Sequence, residues 1–185
     1  MLRDEFAAWV EGADPDKLVF LDEAGSNISM TRDYARSESG ERAHDKVPRN
    51  RGTVTSMLGA LSLQGLTAMM TVAGGTSAEV FQVFAEQVLI PALPPGAIVV
   101  MDNAGAHKAA PVLDTFAAAN VEVRFLPPYS PDLNPIELAW AKLKRLLKEA
   151  KARTRDALDA AIGVILDAIT PFDAGGWFRH CGYRS

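Results

Sequence analysis

Two rhythms of hydrophobic and polar positions alternate along the chain. Short continuous apolar runs at 17–22 (LVFL) and 97–101 (AIVVM) each run into an acid, Asp22 and Asp102. Runs of that length bounded by polar residues read as strands buried on both faces. Residues 53–63 and 66–72 read as two strands joined at Gln64-Gly65, a hairpin, and 121–126 as a further strand. Helical periods fill the intervals. Val80, Phe81, Phe84 and Val88 follow a capping box at Thr76-Ser77-Ala78-Glu79. Val112, Leu113 and Phe116 follow Pro111 in a helix that runs to about Asn120. Leu158, Ile162, Ile165 and Leu166 form the inner stripe of a helix over 155–169, capped by Thr154. Residues 1–16 predict a short, linker-like amphipathic helix (Phe6, Trp9, Val10) closed by Asp14-Pro15. Residues 25–52 are polar and without period, the pattern of a long surface insertion. The tail from Pro171 is expected to pack as irregular structure.

The stretch 125–148, FLPPYSPDLNPIELAWAKLKRLLK, organises the rest. Pro127, Pro128, Pro131 and Pro135 fix φ and make a rigid turn after a strand. Asn134-Pro135-Ile136-Glu137 then starts a helix: a favoured N-cap, proline at the first helical position, and an acid able to reach back. Ile136, Trp140, Leu143 and Leu147 form its buried stripe. Glu137 lies on the edge of that stripe, in line with Ala141, Lys144 and Lys148. Two readings of Glu137 stand side by side. It is the reciprocal half of a capping box, or it is a metal-binding acid facing a phosphate chain.

The order β, β, β, α, β, α, β, α gives an α/β fold. Its mixed sheet has three antiparallel then two parallel strands, with helices on both faces. Beyond the linker-like 1–16, residues 17–185 make one domain. Asp22, Asp102 and Glu137 come from three separated segments, and ligand sites in such sheets favour strand ends. An all-oxygen donor set points to a hard cation, Mg²⁺ or Mn²⁺, with two ions suited to clamping attacking and leaving oxygens.

Composition narrows the classes without choosing among them. Among 185 residues, 48% hydrophobic and 23% charged, there is one cysteine, Cys181, so no internal disulfide framework or cysteine-rich zinc site is available. No apolar run approaches the about 20 residues that cross a bilayer, and the N-terminus lacks a signal-peptide core; the cytoplasm is the expected compartment. The net charge of −4 hides an uneven distribution. Residues 1–41 hold ten acids against four basic side chains, whereas 135–155 hold seven basic side chains against two acids. A second basic cluster, Arg42, Lys46, Arg49 and Arg51, lies between two predicted strands. An acidic total with two basic patches is compatible with DNA, and equally with a solvated helix face and a charged loop.

The blocks FLDE (20–23), VVMDNAGAHK (99–108) and LPPYSPDLNPIE (126–137) resemble the catalytic core of DDE transposases. The bacterial insertion-sequence branch of the mariner superfamily, the IS-six-thirty group, is the most similar. The 34 residues between Asp102 and Glu137 equal the interval of that branch. The resemblance implies a ribonuclease H-like fold, Asp22, Asp102 and Glu137 as a metal-binding catalytic triad, and two divalent ions. It further implies DNA strand cleavage by water, strand transfer by a 3′ hydroxyl, action as a homodimer on transposon ends and target, and a bacterial, nucleoid-associated setting. Sixteen residues before the first strand are too few for the helix-turn-helix domains such enzymes carry. A separate helix-turn-helix partner or a missing N-terminal domain is therefore expected.

Around the triad, Asn103 is a helix cap or a support for the site, and His107 is a solvated loop residue or a group orienting water or phosphate. Glu23 and Asp132 read as a surface charge and a turn former. Arg49, Arg51, Lys108, Lys144 and Lys148 are the DNA-contact candidates. A catalytically inactive DNA-binding or assembly module remains the alternative function. A metal-dependent phosphohydrolase is a weaker third, since it leaves the 34-residue interval unexplained.

Overall fold

The computed structural model describes residues 3–183. Five strands form one sheet in the order β3-β2-β1-β4-β5: β1 (Leu18–Ser26), β2 (Thr55–Ser62), β3 (Gly65–Ala73), β4 (Ile98–Met101) and β5 (Glu122–Phe125). The pairs β1–β2 and β2–β3 are antiparallel, while β1–β4 and β4–β5 are parallel. The expected three-plus-two sheet is thus the observed one, with β1 at its centre.

Side chains alternate along each strand and build a core on either face. Leu18, Phe20, Met57, Leu61 and Val100 face one way and pack against α1 (Arg3–Gly12), α5 (Pro135–Ala150), α6 (Arg155–Leu166) and α7 (Pro171–His180). Val19, Leu21, Leu58, Ala60, Val99 and Met101 face the other way. They pack against α2 (Ala78–Phe84), α3 (Ile90–Ala92) and α4 (Ala110–Ala118). On the first face Trp140, only 2% exposed, lays its indole on the sheet. It reaches the backbone because β2 carries Gly59 there; a Cβ at that position would sit 2.6 Å from the indole ring. Gly59 pairs with Asp22 across the strands.

Several expectations need correcting. β1 does not stop at Asp22. It continues to Ser26 against β2, because only its parallel pairing with β4 ends at Leu21 and Met101. The cap of α2 is Ser77, whose Oγ accepts from the Val80 N–H, one residue later than the Thr76 box. A π-helical turn over Ala85–Leu89 continues α2 and adds a residue to the turn. Leu89 is therefore fully buried in place of Val88.

The tail is not irregular. Thr170 and Asp173 form a capping box, Pro171 takes the first helical position, and α7 follows to His180. Its two internal glycines disfavour helix, but burial of Ala174 and Phe178 outweighs them. Phe178 and Tyr183 meet Phe20 edge-on, with ring centroids 5.2 and 4.8 Å away. α1 packs on the domain as well: Phe6 is fully buried and Arg124 lies over the Trp9 ring.

The insertion from 27 to 54 is free of helix and strand, as expected, yet it is fastened to the end of α5. Arg153 Nη1 donates to the carbonyls of Ile28 (3.0 Å) and Met30 (2.8 Å). Asp33 meets Lys148 and Asp45 meets Lys151, each at 2.6 Å.

The fit of Trp140 on Gly59 is testable by calorimetry or denaturant unfolding. Gly59→Ala is expected to cost about 1–3 kcal/mol by forcing the indole off the strand. Trp140→Ala is expected to cost about 3–5 kcal/mol by leaving a cavity.

Candidate active site

Strand alternation and register bring the acids together. Asp22 follows Phe20 on the face covered by α5, while Glu23 follows Leu21 on the opposite face. In the parallel β1–β4 pair the last partners are Leu21 and Met101, so Asp22 and Asp102 are each the next residue on neighbouring strands. Such strands lie about 4.8 Å apart. The Asp22 Oδ1 accepts from the Glu23 N–H (2.8 Å) and the Asp102 Oδ1 from the Ala104 N–H (2.9 Å).

Glu137 arrives from the third side, in the first turn of α5. The capping-box reading of this residue fails. The Asn134 side chain makes no capping hydrogen bond, and its backbone N–H donates to the Pro131 carbonyl at 3.0 Å. Nothing remains at the cap for the Glu137 carboxylate to receive. It lines a cavity of about 380 Å³ instead, together with Asp22, Asp102 and Asn103. The rest of the lining is mostly apolar, made by Leu126, Pro127, Pro128 and Pro131, with Tyr129, Ser130 and Asn134.

That wall is fixed from several directions. Asn103 Nδ2 donates to the Leu126 carbonyl (2.5 Å), so Asn103 ties the end of β4 to the end of β5 and does not cap a helix. Arg3 donates to the Ser130 Oγ (3.0 Å) and forks onto Asp132 at 2.5 and 3.1 Å. Asp132 is thus an anchor for α1 as well as a turn residue. The Tyr183 hydroxyl donates to the Leu133 carbonyl (2.7 Å). Tyr129 itself has φ of +54°, a left-handed conformation that side chains larger than glycine rarely adopt.

His107 is no solvated loop residue. It is 1% exposed, with Nδ1 2.7 Å from an Asp102 oxygen, Nε2 3.6 Å from Glu23, and its ring against Phe81 at 4.3 Å. Neither nitrogen makes a well-aligned hydrogen bond, so these contacts are charge pairs. Burial alone would lower the imidazole pKa; the two carboxylates outweigh it and raise it to about 9. The cation in turn holds Asp102 and Glu23 below the usual carboxylate range. Asp22 behaves oppositely: burial first, then the charges of Glu137 and Asp102, push it up to about 7 against the pull of the Glu23 N–H. Sequence reasoning missed the Glu23 role. The signal was alternation, which turns Glu23 to the face where the segment after β4 places His107.

The basic candidates do not line the cavity. Arg49 and Arg51 are exposed in the insertion, and Lys108 lies 5.3 Å from the Phe125 ring centre. Lys144 is half-buried on α5, and Lys148 is paired with Asp33. Among the described residues, no group of three or more His, Cys, Asp or Glu side chains is placed to hold a metal ion as it stands. The three acids line one cavity without converging on a single point. Their donor set nonetheless fits a hard cation: all oxygen, with mutual repulsion that a divalent charge would relieve.

Acids on two adjacent strands of a five-stranded mixed sheet and a third on a later helix thus line one cavity. The chain belongs to the DDE superfamily endonuclease family, whose model matches residues 17–159. No curated protein matches it in sequence. Among solved structures it is similar to a pre-cleavage Mos1 transpososome (TM-score 0.77, 20% identity, covering 96% of this chain and 56% of that one). The Mos1 mariner paired end complex with Mn gives TM-score 0.72 and 19% identity over 96% and 55% of the two chains. The Mos1 transposase catalytic domain with raltegravir and Mg gives 0.73 and 19% over 96% and 83%. The fold is therefore ribonuclease H-like, that of the Mos1 catalytic domain. The chain spans about half the length of the transpososome chain it matches.

Two groups make stability fall with rising pH in metal-free solution. Asp22 titrates near 3.8 unfolded and about 7 folded, so its contribution is present below about pH 4 and lost as pH rises through 7. His107, 6.5 unfolded and about 9 folded, contributes fully below 6.5 and is lost through 9. Melting temperature in EDTA is expected to decline from pH 5.5 to pH 9. Mn²⁺ is expected to raise it more at pH 8 than at pH 5.5, because the ion takes the ionised Asp22.

Proposed function

We propose that the chain is the catalytic domain of a transposase that cuts DNA strands at transposon ends and joins them to target by attack of a 3′ hydroxyl. The observation that carries this is the single cavity holding Asp22, Asp102 and Glu137 beside a rigid apolar wall. These acids would hold Mg²⁺ or Mn²⁺, two ions in the fullest form. Bound there, the metal supplies an activated water and neutralises charge developing on the phosphate. The chain's own contribution is placement. Asn103 and the proline turn fix the cavity wall, and His107, held by Glu23, orients Asp102. The DN…HK and SPDLNPIE blocks with their 34-residue interval support the IS-six-thirty branch of the mariner superfamily. DNA is the partner. Homodimerisation, end recognition by a separate helix-turn-helix protein or further domain, and a bacterial nucleoid setting complete the proposal.

One substitution tests it. Glu137 is exposed and does not cap α5, so Glu137→Gln and Glu137→Ala should both leave stability within about 0.5 kcal/mol of the parent. Both should abolish Mn²⁺-dependent cleavage of DNA carrying the element's ends, with any end-recognition partner supplied. Cleavage by the Gln variant at the parental rate would overturn the triad. Absence of cleavage by the parent itself would favour the inactive DNA-binding module.

DNA affinity should also be modest, steeply salt-dependent and indifferent to sequence, as phosphate contacts alone dictate. Titrating matched and scrambled duplexes at two salt concentrations checks this. A preference for one sequence that survives high salt would reveal a recognition element within this chain.

A further inference from the structure

Tyr129 is the one residue of the cavity that neither packing nor turn geometry accounts for. Its side chain is fully exposed, at 101%, so it adds no buried area to the core. Its φ of +54° falls directly after Pro128, at the turn position that glycine or asparagine normally takes. A tyrosine there bears a steric cost that glycine would avoid. The backbone carrying it is nonetheless rigid. Pro127 and Pro128 precede it, and the next residue, Ser130, is buried, its Oγ accepting from Arg3 while bonded to the Pro128 carbonyl. The fixed backbone thus carries an exposed ring beside the cavity that contains the three acids.

The two walls of that cavity suit two parts of one nucleotide. The acidic wall fits a cation-neutralised phosphate. The rest of the lining, Leu126, Pro127, Pro128 and Pro131 with Tyr129, Ser130 and Asn134, is largely apolar and aromatic. A base within a duplex cannot present its face to such a wall, because its neighbours cover both faces. It must first leave the stack. We propose that Tyr129 is a stacking platform for one unpaired DNA base, that of the nucleotide next to the phosphate the acids address. The proposal rests on the reading of the chain as a DNA-cleaving domain. Stacking of this kind tolerates any base, so Tyr129 recognises strand separation rather than sequence.

The test is a binding titration in Ca²⁺, a hard divalent ion that the acids can hold, and its readout does not require cleavage. The probes are a duplex with a short single-stranded 3′ overhang carrying 2-aminopurine, and the same duplex made blunt. The parent is expected to bind the overhang more tightly than the blunt end and to change 2-aminopurine emission. Tyr129→Phe should behave like the parent. Tyr129→Leu, which keeps a Cβ and so the same backbone cost, should lose about tenfold in overhang affinity and the emission change. Tyr129→Gly should lose the same while melting no lower than the parent, which separates stacking from folding. Equal binding by the Leu variant and the parent overturns the proposal. So does a parent that does not distinguish overhang from blunt duplex, or a Phe variant as weak as Leu, which would make the hydroxyl and not the ring the binding group. Because the readout is binding alone, this assay can fail while cleavage depends on Glu137, and it can succeed while cleavage is absent.

Discussion

The seat of one indole on one glycine governs the geometry of the whole face. Trp140 can reach the sheet only because Gly59 has no side chain there. That contact sets how closely α5 approaches β1 and β2. Glu137 stands one turn before Trp140 on the same helix, and Asp22 stands across from Gly59 on the neighbouring strand. The helix that brings the third acid is therefore positioned against the strand that carries the first. Packing and chemistry share one spot, and a shift in either would be felt in the other.

Much of this was legible in the sequence because it was local. Apolar runs ending in acids gave β1 and β4, Gln64-Gly65 gave the hairpin, and Asn134-Pro135 gave the start of α5. The three acids of the cavity were read from the same runs. What escaped had other causes. The last helix was hidden by Gly175 and Gly176, although Thr170-Pro171-Phe172-Asp173 carried its start signal. The π-helical turn in the α2 segment leaves no trace in a period of 3.6. The charge cluster of Glu23, His107 and Asp102 joins three segments, and no spacing along the chain announces it.

Charge counting along the sequence left the seven basic side chains between 135 and 155 open to two readings, DNA contact or a solvated helix face. In space, Lys148 and Lys151 meet acids of the 27–54 insertion, Arg153 binds its carbonyls, and Lys142 meets Asp173. Two acids of the insertion, Asp33 and Asp45, take up two of these cations. The insertion is held to α5 by exposed pairs, each worth little alone and weakened by salt.

The placement of β1 also has a temporal side. Its neighbours on one edge come from the next sixty residues, but its neighbour on the other edge, β4, forms only near residue 100, and α5 closes the face near residue 150. Contacts between such distant segments form slowly, because the intervening chain must first be ordered. During synthesis the first carboxylate is therefore made long before the strand end and helix that give it a purpose. The cavity is a property of the finished fold, since its lining runs from Asp22 to Glu137.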